Sequence, residues 1–127
     1  EYLPAAFPAV ADLAVSNALL SAADVLGFDH TYGTGTTRDA YYVRDATLNE
    51  RLREAGVVAA EMEAATLFIV GAVRGVDVGC VVATDSNIWL ENQPTLAEKE
   101  ALYAQGEKQT IATALRAVEI LASQEGN

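Results

Sequence analysis

Apolar positions along this chain switch between helical spacing and continuous short runs, and the switches mark its elements. After an opening segment broken by Pro4 and Pro8, which reads as extended, Leu13, Leu19, Leu20 and Leu26 approximate one helical face. Asp12 is placed to cap that helix and Gly27 to end it. A short strand is predicted near His30 to Tyr32, leading into Gly33-Thr34-Gly35-Thr36-Thr37, which has loop chemistry. The stretch from Arg38 to Asp45 is polar and aromatic. A charged helix follows from Asn49 to Ala55, closed by Gly56, and Val57-Val58-Ala59-Ala60 then reads as a buried strand.

From Glu63 to Arg74 the apolar content predicts a largely buried helix that Gly75 ends, and Val76 to Thr84 is a near-continuous apolar strand. Runs of that kind belong to parallel sheets covered on both faces, and the alternation of strand and helix points the same way. The expected class is therefore α/β, with a mixed or mostly parallel sheet flanked by helices. Thr95 and Glu98 have the spacing of a capping box for the terminal helix. Gly106 is expected to break or kink that helix before Ile111, Leu115, Val118 and Leu121 continue its apolar stripe. Residues 1–127 read as a single domain, with no internal repeat.

Charge narrows the partners. Eighteen acids against eight Lys and Arg residues give a net charge of −10. Phosphate backbones require clustered cations, so nucleic acid is excluded as a partner. Dispersed acid with only Lys99 and Lys108 as lysines also suits a high-salt cytoplasm, where screening makes excess charge tolerable. No apolar run approaches the ~18 residues that a membrane span needs, so no membrane is expected and a cytoplasmic location is. Cys80 lies among valines and is expected to be a buried structural thiol, while His30 reads as structural. The chain opens at Glu1 without an initiating Met, which predicts a processed or truncated sequence.

Glu61 and Glu63 around Met62, followed by Asp85 at the end of an apolar run, are the candidate chemistry. In parallel sheets ligands sit beyond the carboxyl ends of strands, and both Glu61 and Asp85 fall at such ends. Two acids at one ligand can divide labour, one ionised to grip hydroxyls and one protonated to act as general acid. Cleavage of a glycosidic bond requires that division. The alternative for Glu61 and Glu63 is a pair of solvated acids at a helix start, favoured there by the helix dipole. For Asp85 it is a turn aspartate beside Ser86 and Asn87.

The string Val58-Ala59-Ala60-Glu61-Met62-Glu63-Ala64-Ala65-Thr66-Leu67 resembles the ribose-binding motif of the nucleoside phosphorylase family, which includes uridine phosphorylases and hexameric purine nucleoside phosphorylases. Phe7-Pro8-Ala9-Val10-Ala11-Asp12 is similar to the uridine enzymes, and Asp39-Ala40-Tyr41-Tyr42 resembles the family's base-stacking loop. Ala83-Thr84-Asp85, with Ala97-Glu98-Lys99 on the next helix, is closer to the purine enzymes. The resemblance gives Glu63 the ribose hydroxyls and packs Met62 beneath the sugar, where it also offers its backbone amide. Glu61 would hold the turn or the sugar, and Tyr41 would stack on the base. Asp85 takes the place of the acid that protonates a leaving purine. Lys99 stands where the purine enzymes carry an assisting arginine, keeping the charge but losing the planar fork. Val43-Arg44-Asp45 does not reproduce the glutamine and arginine with which uridine phosphorylases read the base, although Arg44 lies near enough in sequence to substitute.

The resemblance implies a phosphorylase-like three-layer architecture, of which this chain is the carboxyl-terminal half and incomplete as it stands. It implies phosphate-dependent cleavage of a nucleoside to free base and ribose 1-phosphate, with nucleoside and phosphate as ligands and phosphate as co-substrate. No metal or organic cofactor is implied, and the complete protein is expected to be a homo-oligomer. The family's phosphate site is built in the half that precedes the matched region. Two alternatives stay open: a nucleoside hydrolase of the same superfamily, and a truncated nucleoside-binding domain without catalysis.

Overall fold

A computed structural model describes residues 3–43, 45–84 and 86–125. Its elements follow in the order α1 (Leu13–Leu26), β1 (Gly35–Thr37), α2 (Ala46–Glu54), β2 (Ala59–Glu61), α3 (Ala64–Arg74) and α4 (Leu96–Glu125). They fall into two compact units, one of Glu1–Asp12 with His30–Gly79, the other of Leu13–Asp29 with Cys80–Asn127.

The first unit is built on a β-α-β crossover. β1 and β2 are parallel, with Gly35 opposite Ala59, Thr36 opposite Ala60 and Thr37 opposite Glu61. Parallel neighbours cannot be joined by a tight hairpin, and α2 supplies the crossover. The Val58 amide donates to the Thr34 carbonyl at 2.9 Å and the Arg38 amide to the Glu61 carbonyl at 2.8 Å, which extends the pairing past both ends of the strands. Asp45 caps α2, accepting the Leu48 amide at 2.9 Å. That cap starts the helix at Ala46, ahead of the expected Asn49. Arg51 and Arg53 in its last turn complement the carbonyl end of the helix dipole.

The α/β class and the parallel pairing agree with the sequence pattern, but the strands are placed differently. The strand lies at Gly35–Thr37, in the stretch read as loop, and not at His30 to Tyr32. Loop composition reports a local preference; two β-branched threonines facing β2 override it. β2 is only half-buried. The run from Val76 to Thr84 forms no strand among the described residues, although the Val78 carbonyl accepts the Asp12 amide at 2.8 Å. Apolar sequence sets what a segment would bury, whereas a strand needs a neighbour's ladder, and the ladder described here joins only β1 and β2.

Burial also departs from the sequence reading. In α3 Ala64 and Gly71 are buried, but Leu67 is 52% exposed and Val70 and Val73 are exposed beside it. Cys80 is exposed rather than buried, because the extended run that carries it is not enclosed within a sheet.

In the second unit α1 packs on α4. Ala18 and Ala22 meet Ala117 in the buried centre, with Leu19, Ile120 and Leu121 around them. Small side chains at the contact let the two backbones approach closely. Thr95 and Glu98 form the expected capping box: the Thr95 amide donates to Glu98 Oε2 at 2.7 Å and the Glu98 amide to Thr95 Oγ1 at 3.3 Å. α4 then runs without interruption through Gly106. That glycine is not a breaker. It leaves room for Ala83, whose side chain a Cβ at position 106 would overlap. Gly27, Gly56 and Gly75, by contrast, follow the first three helices with φ of 69°, 77° and 64°, a left-handed geometry that a side chain would strain.

Candidate functional site

The turn Glu61-Met62-Glu63 joins the end of β2 to the start of α3. A helix opens with amide donors that have no partner inside it. Here Glu61 supplies the missing acceptor: its Oε2 takes the Glu63 amide at 2.6 Å and the Ala64 amide at 2.5 Å. Its Oε1 accepts the hydroxyl of Thr37, and Thr37 Oγ1 in turn accepts the Ala65 amide at 3.0 Å. One carboxylate and one hydroxyl therefore satisfy three successive amides. The negative group lies at the positive end of the helix dipole.

These contacts set the ionisation of Glu61. Partial burial pushes its pKa up, but the bonds from the Thr37 hydroxyl and from the Ala64 and Glu63 amides outweigh it, and the carboxyl sits below its ordinary value. It is an acceptor that holds the turn. Glu63 is placed differently. It is the N-cap residue of α3, yet its side chain makes no cap bond; its Oε2 accepts only the Met62 amide, at 3.2 Å, among the described residues. Its carboxylate is exposed, so it has the capacity to accept from neighbouring hydroxyls. Met62 is 36% exposed, and its amide, expected to face a sugar, is engaged by Glu63.

Tyr41 lies on the loop that follows β1 in the same unit, 64% exposed, with its ring edge-on to Tyr42 at a centroid separation of 5.2 Å. Beside this loop a cavity of about 230 Å³ is lined by Thr36, Thr37, Arg38 and Val43 with Leu48 and Leu52 of α2. Arg38 crosses to α2, where its Nη2 donates to Asn49 Oδ1, while its Nε is buried without a partner among the described residues. Lys99 belongs to the second unit, in the first turn of α4, half-buried, with its amide donating to the Thr95 carbonyl at 3.0 Å. Arg44 and Asp85 lie outside the described residues. The loop after Asp85 is organised by Asn87, whose Oδ1 accepts the Trp89 amide at 2.9 Å and whose carbonyl accepts Gln93 Nε2 at 2.8 Å. Among the described residues no three His, Cys, Asp or Glu side chains are grouped as a metal ion would need.

Glu61, Met62 and Glu63 share the turn between β2 and α3, and the structure adds Thr37, which the sequence did not single out. The sequence model of the phosphorylase superfamily matches residues 1–119. The chain belongs to that family. It is 34% identical to a uridine phosphorylase of Thermococcus kodakarensis, over 80% of this chain and 41% of that protein. It is 31% identical to a DeoD-type purine nucleoside phosphorylase of Dichelobacter nodosus, over 76% of this chain and 41% of that protein. Among solved structures, the purine nucleoside phosphorylase of Toxoplasma gondii in complex with immucillin-H superposes with a TM-score of 0.76 at 25% identity, covering 96% of this chain and 50% of that one. The chain spans about half the length of these phosphorylase superfamily relatives or less.

Proposed function

We propose that the protein carrying this chain is a nucleoside phosphorylase, a pentosyltransferase that cleaves the N-glycosidic bond with phosphate and releases base and ribose 1-phosphate. The observation that carries the reading is the division of labour within the Glu61-Met62-Glu63 turn. Glu61 is committed to the backbone, and Glu63 is left exposed at the start of α3 to take the ribose hydroxyls. Relatives named uridine phosphorylase and purine nucleoside phosphorylase support the same assignment.

In this reading a phosphate oxygen forms a bond to the anomeric carbon while the bond from that carbon to the base nitrogen breaks, its electron pair leaving with the base. Positive charge grows on the sugar in between, and the anionic Glu63 stabilises it while fixing the hydroxyls. Met62 packs under the sugar and Tyr41 stacks on the base. Arg44 reads the polar edge of a pyrimidine. For a purine, Asp85 delivers a proton to the imidazole nitrogen, with the cation of Lys99 in support. Uridine is the first substrate to test, and purine nucleosides the second. The complete enzyme is proposed to be a cytoplasmic homo-oligomer; no helix among the described residues is long and apolar enough to cross a membrane.

The test is base release from uridine and from inosine by the full-length protein, with and without phosphate. Phosphate-dependent release is expected and gives the base preference. Release that ignores phosphate would mean a hydrolase, and binding without release would mean a nucleoside-binding domain.

A further inference from the structure

The Thr37 hydroxyl stands where three segments meet. It donates to Glu61 Oε1 at the end of β2 and accepts the Ala65 amide in the first turn of α3. The backbone makes the same connection, since Thr37 is the ladder partner of Glu61 and the next amide, of Arg38, donates to the Glu61 carbonyl at 2.8 Å. Glu61 passes the constraint on, because its Oε2 holds the Glu63 amide at 2.6 Å. In the other direction, Thr37 ends β1 and leads into the loop that carries Tyr41. Arg38 ties the start of that loop to Asn49 of α2.

We infer that Thr37 is a positioning residue that holds the Glu63 carboxylate in register with the Tyr41 loop, so that the sugar and base ends of one nucleoside are met together. This rests on the proposed roles of Glu63 and Tyr41. The hydroxyl of Thr37 bonds both to α3, at the Ala65 amide, and to Glu61. Valine keeps the shape of the side chain and its fit to a strand but neither donates nor accepts. Without the hydroxyl, the Ala65 amide and one oxygen of Glu61 lose their partner, and the turn that aims Glu63 loosens. A ribonucleoside, gripped through two hydroxyls, depends on that aim more than a 2′-deoxyribonucleoside does.

The experiment compares Thr37→Val, Thr37→Ala and Thr37→Ser in the full-length protein on uridine, inosine and their 2′-deoxy counterparts. Losing hydrogen bonds to a charged group should lower kcat/KM for the ribonucleosides by roughly tenfold or more in the valine and alanine variants. The loss on the deoxy substrates should be smaller, so that the ribo to deoxy ratio falls, and serine should restore it. In parallel, the side-chain carboxyl carbon of Glu61, followed by NMR, should titrate at higher pH in both variants that lack the hydroxyl. Equal losses on the two sugars, or a serine variant that behaves like alanine, would overturn the inference. If the unsubstituted protein cleaves no nucleoside, the proposed function fails and the Thr37 linkage is judged on NMR alone. A Glu61 titration and a Glu63 amide resonance that move together in Thr37→Val support it, and two that stay unchanged overturn it.

Discussion

Glu61 and Glu63 are two residues apart and chemically alike, yet their surroundings assign them opposite tasks. Glu61 accepts from two amides and a hydroxyl, and its pKa is lowered by those bonds. A carboxyl with a lowered folded pKa stabilises the fold above its unfolded value and loses that contribution as pH falls through the folded one. Glu61→Gln should therefore be least stable relative to the unsubstituted protein at neutral pH, and the gap should close below the ordinary value of 4.5. Urea unfolding of both proteins across that range would show it; a gap that widened in acid would contradict the bonding. Glu63 makes no cap bond, so Glu63→Gln should unfold at nearly the same temperature while kcat/KM drops by tenfold to a hundredfold, about 1.5–3 kcal/mol for charged hydrogen bonds to sugar hydroxyls. Sequence alone exposed this acid pair, because a strand end followed by a helix start is legible in local pattern. It did not expose Thr37. The contact spans 24 positions and exists only once β1 and β2 adopt their register, which no local spacing encodes.

At the scale of elements, most helix ends and the strand before Glu61 were readable, while β1 was displaced from its expected place and the run from Val76 to Thr84 formed no strand, for a physical reason. Caps act within a turn of chain: Thr95 with Glu98, and Gly75 with its φ of 64°, follow from nearest neighbours, and the Asp45 cap on Leu48, which the sequence reading passed over, is equally local. Strands depend on distant partners, and the apolar run from Val76 to Thr84 showed composition without a ladder. Gly106 is the instructive failure, since propensity marked it as a break and packing explains it as a contact. The two views predict opposite signs for Gly106→Ala. Propensity alone favours alanine in a helix interior by about 1 kcal/mol. Overlap of the new Cβ with the Ala83 side chain forces the chain apart, and overpacking typically costs about 1–3 kcal/mol. The overlap is with a short, inflexible side chain, so packing should win and the variant should melt lower; a higher melting temperature in a thermal scan would show that Ala83 yields.

At the scale of the whole molecule, apolar surface and charge point to the same experiment. Leu67, Val70 and Val73 of α3 are exposed in one unit, and Ile111, Leu115 and Val118 of α4 in the other, the last three at 54%, 63% and 63%. Exposed large apolar side chains on one helix face are a liability for aggregation or a place for a partner to bind. The chain spans about half the length of its relatives or less. The 127 residues expressed alone should therefore bind an apolar dye strongly and turn over nucleoside poorly, whereas the full-length protein should do the reverse. Salt supplies a second axis. With a net charge of −10, self-repulsion falls as the screening length shrinks from about 10 Å at 0.1 M to about 3 Å at 1 M, while high salt strengthens apolar burial when the ion is a kosmotrope. Potassium chloride, which screens without strong exclusion, should raise the melting temperature of this chain by relief of repulsion alone. Dye binding by the isolated chain should persist at every salt concentration, because screening does nothing to cover α3. Robust phosphate-dependent turnover by the isolated chain would refute the first expectation, and dye binding that vanished in salt would show that its apolar surface is closed by repacking rather than by missing polypeptide.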